Sequence, residues 1–332
     1  MTDAPRTNRM RAAQITSLDG PAAVGVTDVD VPVPGDGQVL IDVHAAGVSF
    51  PEVLQTRGLY QLKPPLPFVP GSEVAGVVVE SPADSGLAAG DRVAAFPLLG
   101  GFAERTVVSG DMVFALPDAL SYEQGAALPL NYLTAHFALL RRGGLQPDES
   151  VLVHGAAGGV GTASIQMAKA FGAGQVIAVT SSDAKAQVAL AAGADDVVAA
   201  DGFKDAVRDL TGGRGVDLVV DPVGGDRFTD SLRSLAPNGR LLVIGFAAGE
   251  IPTVKVNRLL LNNIDVRGVA WGGFIVQRPG YVAAQWAELV PHIESGALQP
   301  PIGATYPLDS VSDALRELDE RRAIGKIVLT LR

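Results

Sequence analysis

The stretch Val151–Ala163, VLVHGAAGGVGTA, constrains this chain more than any other. An apolar run ends at Val153, a glycine-rich turn follows, and ASIQMAKAFGA then has the spacing of an amphipathic helix. Strand, glycine turn and helix in that order bring backbone N–H groups close to a pyrophosphate at a helix N-terminus. Ala156, Gly158 and Gly161 take the places of the dinucleotide fingerprint G-x-G-x-x-G, with alanine for the first glycine. The bland alternative is a tight structural turn. The series of strand–helix units that follows favours the nucleotide cradle, with the amides of Ala157, Gly158, Gly159, Val160 and Gly161 as its phosphate contacts.

Those units run QVIAVTSS, a helix from Asp183 to Ala192, DDVVAA, a helix from Phe203 to Leu210, VDLVVDPVGG, a helix from Arg227 to Leu235, RLLVIGF, and a sixth strand, NIDVRGVAW. Alternation of this kind predicts a doubly wound parallel sheet. The first ~120 residues differ: short apolar runs separated by Gly, Pro and Asp turns predict a β-rich region. QVLIDVHAAGV is its strongest strand, and Ser49–Tyr60 a short helix ended by Gly58. Ser121 with Gln124 fits a capping box at a helix start. A helix is expected over Pro279–Gly296 and another from Ser310 to Arg322, before a closing strand KIVLTL. The fold class is therefore α/β: a β-rich domain over 1–124 and 275–332, and a Rossmann domain over 125–274. Residues 1 to about 10 read as a tail.

A chain of 332 residues has room for two domains, and its 47% apolar and 19% charged content is that of a globular protein. The net charge of −10 argues against a nucleic-acid or anionic-membrane surface. With no cysteine, disulfides, thiolate zinc, a catalytic thiol and Fe–S clusters are excluded. Met1–Arg11 lacks the apolar core of a secretory signal, and no run is long enough to span a bilayer, so a cytoplasmic location is expected.

The cofactor and its surroundings can be placed by residue. An NAD-preferring fold carries an acid at the end of the second strand. Here that end reads Ser181-Ser182-Asp183, with no acid at the tip, two hydroxyl donors, and Lys185 one turn on. This favours NADPH, with Asp183 as a counterweight that leaves NADH open. Because ligands bind beyond the carboxyl ends of strands, Gly224, Gly245, Phe246, Ala247 and Trp271 are further cofactor candidates. Phe246 and Trp271 are candidates for an aromatic wall, with core packing the alternative for Trp271. His154, at the end of the first Rossmann strand, reads as structural.

The chain resembles the zeta-crystallin-like quinone oxidoreductases of the medium-chain dehydrogenase/reductase superfamily. The likeness rests on AAGVSFPEVLQTRGLY (45–60), PFVPGSEVAGVV (67–78), GDRVAAF (90–96), GGFAE (100–104), YLTAHFAL (132–139), VLVHGAAGGVG and GKIVL (325–329). The resemblance implies a GroES-like catalytic domain beside a Rossmann domain, and hydride transfer from NADPH to a quinone, or to the C=C bond of an enone. A cofactor-binding structural protein without turnover is the alternative of another class. The resemblance also implies that Ser49, where relatives often carry Asn, Tyr60 and Thr134 serve the substrate and nicotinamide, that Lys185 meets the 2′-phosphate, and that Lys326 joins the cofactor contacts. It implies a homodimer paired through the edge strand near Val266–Trp271. Zinc-dependent relatives carry a His in a G-H-E motif that reads Gly71-Ser72-Glu73 here, and a four-Cys lobe for which Asp84–Gly90 is too short. No metal is therefore expected, and without a Lewis acid an easily reduced acceptor is the fitting substrate.

Overall fold

The computed structural model describes residues 9–332. The expected tail, and most of the stretch read for a secretory signal, fall outside the described residues; Arg9 and Met10 already belong to a strand. Two compact units emerge: the chain up to Leu130 together with Ile302–Arg332, and Asn131–Pro301.

In the first unit, β1 (Arg9–Ile15) and β2 (Val24–Asp30) form an antiparallel pair. β3 (Gln38–Val48) is the centre of a larger sheet with β4 (Val74–Glu80), β5 (Arg92–Ala95), β6 (Arg105–Ser109) and β7 (Val113–Ala115). Two strands from the end of the chain, Ile302–Pro307 and Lys326–Thr330, complete it, and the latter pairs antiparallel with β3. β3 carries most of the pairing because its Val-, Leu-, Ile- and Ala-rich run is buried at eight of eleven positions, which alternation alone does not require. The core joins Val39, Ile41, Val43, Val74, Val93, Phe102, Ile327 and Leu329. A short helix α1 (Phe50–Gln55) starts at Ser49, with the Ser49–Glu52 capping box. α2 (Tyr122–Ala126) starts at Ser121 with the expected reciprocal bonds to Gln124, at 3.2 and 3.1 Å. β7 and the Ile302–Pro307 strand were not expected from sequence; one is three residues long, and the other, IGATYP, holds a glycine and ends in proline, so neither carries a clear apolar alternation.

The second unit is a six-stranded parallel sheet. Its strands are β8 (Ser150–Val153), β9 (Gln175–Thr180), β10 (Asp196–Ala199), β11 (Val216–Asp221), β12 (Leu235–Val243) and β13 (Asp265–Gly268). They lie in the order β10-β9-β8-β11-β12-β13, the doubly wound dinucleotide-binding order whose reversal lies at β8/β11. α3 (Pro129–His136) runs into a π-helical turn, Phe137–Gly143, that closes at Gly144 in the left-handed region. The crossovers are α4 (Gly159–Ala170), α5 (Asp183–Ala191), α6 (Phe203–Leu210) and α7 (Phe228–Arg233).

Three differences from the sequence reading stand out. The sixth strand stops at Gly268, and Trp271 opens a short helix, α9 (Trp271–Ile275), after the six-residue α8 (Asn257–Asn262). The expected helix at 279–296 is α10 (Tyr281–Glu294), but residues 275–301 belong to the second unit, not to the β-rich one. The reason is a buried amide: Gln285 accepts from Trp271 Nε1 at 2.8 Å, and its own Nε2 meets the Leu133 carbonyl at 3.2 Å and His136 Nδ1 at 2.9 Å. Trp286, Leu289 and Ile293 on the same helix are buried as well. No helix among the described residues is long and apolar enough to cross a membrane.

Candidate active site

The glycine turn lies where the sequence puts it. β8 ends, His154 follows, and Gly155 turns the chain with φ +58°. Gly158 is the N-cap of α4 and has no side chain to offer the first-turn N–H groups. The N–H groups of Gly159, Val160 and Gly161 are the ones a helix leaves without an internal acceptor. Gly161 is required by packing: a Cβ there would stand 2.2 Å from the Gly155 carbonyl oxygen. At Gly158 a Cβ would meet nothing nearer than that same oxygen at 3.4 Å, so the missing side chain serves the approach to the amides rather than internal packing. This is the cradle a dinucleotide pyrophosphate needs, and the residues present fit that group.

Beyond the ends of β9 and β10 lies a cavity of about 450 Å³, lined by Ser181, Ser182, Asp183, Ala200, Asp201 and Arg227 among others. Its size is in the range of roughly 300–1,000 Å³ usual for small-molecule sites. Ser182 caps α5, its Oγ accepting from Lys185 N at 3.4 Å, which leaves the hydroxyl proton free to be donated. Lys185 does not line this cavity; the lining cation is Arg227, which sequence reasoning missed. Its signal was present in the DPVGGDR segment beyond β11, the same strand-end position that marked Gly224. That loop is held rigid by buried Asp221, whose Oδ1 accepts from Val223 N and Gly224 N, both at 2.9 Å. It is tied in turn to the loop after β12, with Ala247 N donating to the Pro222 carbonyl at 3.1 Å and Ala248 N to that of Val223 at 2.9 Å. Gly224, Gly245, Phe246 and Ala247 therefore sit in two joined loops at the carboxyl edge of the sheet. Phe246 is exposed, whereas Trp271 is only 2% exposed and hydrogen-bonded to Gln285. Of the proposed aromatic wall, then, Trp271 is core, because its indole N–H finds its acceptor inside. Thr134 is buried on α3.

His154 is fully enclosed. Its Nε2 pairs with Ser231 Oγ at 2.8 Å, its ring meets Phe203 edge-on, and Nδ1 has no partner. Burial lowers its pKa to about 4, so the imidazole is neutral and structural at neutral pH.

The first unit gathers the other candidates around one buried polar network. Glu52 Oε2 accepts from Ser49 N at 2.9 Å; Glu52 Oε1 accepts from Ser72 N at 3.1 Å and Ser72 Oγ at 2.6 Å. Glu73 takes an ion pair from Lys326, a bond from Ser49 Oγ at 3.0 Å and one from Leu130 N at 2.9 Å. Lys326 Nζ also donates to Ser49 Oγ at 2.5 Å. The ammonium expected to meet the cofactor is thus taken up by Glu73 and Ser49 in the interior, 4% exposed. Sequence could not show this, since 253 residues separate the partners. Burial raises the Glu52 pKa to about 7 despite the Ser72 bond. Half-buried Tyr60 is raised by burial and then by the charge of Glu52. The Ser49 and Ser72 hydroxyls are already bound to carboxylates, and among the described residues no group of three or more His, Asp or Glu is placed to hold a metal.

Comparison with known proteins agrees with this arrangement. Residues 35–118 match the alcohol dehydrogenase GroES-like domain and residues 159–295 the zinc-binding dehydrogenase family. The chain is 39% identical to quinone oxidoreductase-like protein 2 of Rattus norvegicus over 97% of its own length and 92% of that protein's. A probable oxidoreductase from Mycobacterium abscessus shares 45% identity with a TM-score of 0.89, covering 98% of this chain and 100% of that one. The quinone oxidoreductase from Thermus thermophilus, solved also in complex with NADPH, shares 34% identity with a TM-score of 0.85, covering 97% and 100%. With a GroES-like unit, a doubly wound sheet and a nucleotide cradle in place, the chain belongs to the zeta-crystallin-like quinone oxidoreductase family of the medium-chain dehydrogenase/reductase superfamily.

Proposed function

We propose that the protein is a zinc-independent, NADPH-dependent oxidoreductase that passes hydride to a quinone. The observation that carries this reading is the uncapped start of α4, where the N–H groups of Gly159, Val160 and Gly161 are left to an anionic ligand. Bound there, the nicotinamide cofactor supplies the hydride. The chain's own residues hold and orient: the α4 amides at the pyrophosphate, Ser181, Ser182 and Arg227 at the adenosine end, the Gly224 and Gly245–Ala247 loops along the cofactor, Thr134 by the nicotinamide, Ser49 and Tyr60 at the acceptor. Positioning of two reactants is the main catalytic device this requires. A quinone accepts hydride without a Lewis acid, which suits a serine, Ser72, in the place of the G-H-E histidine.

The experiment is a titration with NADPH and NADH, followed by assays with phenanthrenequinone and a crotonyl thioester. Faster turnover of the quinone with NADPH supports the reading. Preference for the thioester would make the protein a C=C reductase, and binding without reduction of either would make it a nucleotide-binding structural protein.

The same reading includes a homodimer. β13 is the outer strand of its sheet, and the neighbouring α8 leaves Leu260 and Leu261 exposed at 76% and 74%. An uncovered strand edge beside exposed leucines is a surface that pairing with a second copy would bury. Light scattering at micromolar concentration should give twice the chain mass; the monomer mass would refute it.

A further inference from the structure

The buried network of the first unit contains two carboxylates, Glu52 and Glu73, and one ammonium, Lys326, all at most 4% exposed. The cation is in direct contact with Glu73. Glu52 faces only neutral donors, the Ser49 and Ser72 N–H groups and the Ser72 hydroxyl. The other ionisable groups that act on it, Lys326, Glu73 and Tyr60, do so from a distance. One negative charge in this pocket therefore has no counter-ion, and a buried carboxylate without one takes up a proton instead.

Resting on the reductase reading above, we infer that Glu52 is the proton store of the reaction and that Ser72 is its outlet. The hydrogen-bond pattern allows it. When Glu52 is a carboxylate, Ser72 donates to it at 2.6 Å. When Glu52 carries the proton, the carboxyl donates and Ser72 Oγ accepts, which frees the serine hydrogen for another acceptor. A hydroxyl is the one side chain here that does both with a single rotation. Ser72 also retains 7% exposure against 1% for Glu52, so the serine is the member of the pair that meets the outside.

The step balances. Hydride arriving at one oxygen of a quinone forms an O–H bond and leaves the other oxygen anionic. That oxygen takes the Ser72 hydroxyl proton, Ser72 takes the proton of Glu52, and the Glu52 carboxylate is refilled from water. Each turnover consumes one hydride and one proton and yields a hydroquinone. Glu52 touches no substrate in this scheme; it acts through Ser72.

The test compares the full-length chain with Glu52→Gln and Ser72→Ala. Infrared titration of each protein, without substrate, follows the stretch of a protonated carboxyl group, and kcat with phenanthrenequinone at saturating NADPH is followed across neutral pH. The unmodified chain should show a protonated carboxyl that Glu52→Gln removes, and a kcat that falls as pH rises through neutrality. Glu52→Gln should lower kcat by about 100-fold, the low end for loss of an acid–base group, and abolish the pH dependence with KM nearly unchanged. Ser72→Ala should keep the infrared band and lose a comparable rate, which carries the test if Glu52→Gln does not fold. Turnover with an unaltered pH profile in the folded variants would overturn this inference alone. Absence of turnover in the unmodified chain would overturn it together with the reductase reading.

Discussion

A Cβ on Gly161 would stand 2.2 Å from the carbonyl oxygen of Gly155 and 2.7 Å from the Ala156 Cα. Both neighbours are backbone, so neither can rotate away. The helix that presents the phosphate-facing amides can pack against the turn only if position 161 has no side chain. Gly161→Ala should open the turn, at a cost of about 1–3 kcal/mol for overpacking, and abolish measurable NADPH binding. Thermal denaturation and nucleotide titration check both halves. A stable variant with unchanged affinity would show that the turn does not form the phosphate site.

Arg227 is the cation that lines the cavity beyond β9 and β10, beside Asp183 and Asp201. A charge-assisted bond to a phosphate is worth about 1.5–3 kcal/mol. Arg227→Ala should therefore weaken NADPH binding by roughly 10- to 100-fold while changing NADH binding much less, since only the former carries a 2′-phosphate. Asp183→Asn should shift the preference the other way, toward NADPH, by removing a like charge. Isothermal titration with the two nucleotides measures both; equal losses on Arg227→Ala would deny the arginine any part in selectivity.

Arg240 grips both oxygens of Glu149, at 2.7 and 2.6 Å, and also donates to the carbonyls of Gly143 and Gly144 at the end of the π-helical turn. The arginine is buried on β12. Removing one partner of such a pair costs about 3–5 kcal/mol because the other is left uncompensated. Arg240→Met should lower the urea midpoint accordingly, and adding Glu149→Gln should recover part of the loss. Simple additivity of the two would contradict the pairing.

Two buried groups should give opposing pH dependences of stability. Glu52 holds its proton up to about pH 7 in the folded chain, against an ordinary value of 4.5. Between these values the folded state binds the proton and the unfolded state does not, so stability falls as pH rises, by about 3 kcal/mol in all. His154 is shifted from 6.5 down to about 4. There the unfolded state binds the proton and the folded state does not, so stability falls as pH drops through that window, by a similar ~3 kcal/mol. The effects largely cancel where the windows overlap. Glu52→Gln should leave a stability that climbs from about pH 4 to 6.5 and is then level, as read by chemical denaturation at each pH. A variant whose profile matches the unmodified chain would show that Glu52 is not held protonated.

The nucleotide-binding half was the more legible from sequence, and local physics explains why. Each strand–turn–helix unit closes within about thirty residues, so a glycine, a cap or a change of hydrophobic period marks it directly. β8 to α4 and the α6 span from Phe203 to Leu210 follow the expected course. Ser121 and Gln124 likewise cap one another three residues apart. Legibility failed where a partner lies far along the chain. Lys326 read as a cofactor contact until Glu73, 253 residues away, took its charge. Trp271 left an aromatic wall and core packing both open; the buried acceptor on Gln285 decides for the core and draws α10 into the second unit.

The sequence by itself determined the two kinds of layer, the place of the glycine turn and the capped start of α2 at Ser121, because these depend on backbone freedom and on neighbours within a turn or two. Only the tertiary structure decided which charges are paired. Whether Lys326, Glu52 and Arg227 face a partner, a proton or a cavity is set by burial and by groups that the fold brings together. The free energy of a buried charge depends almost wholly on those groups.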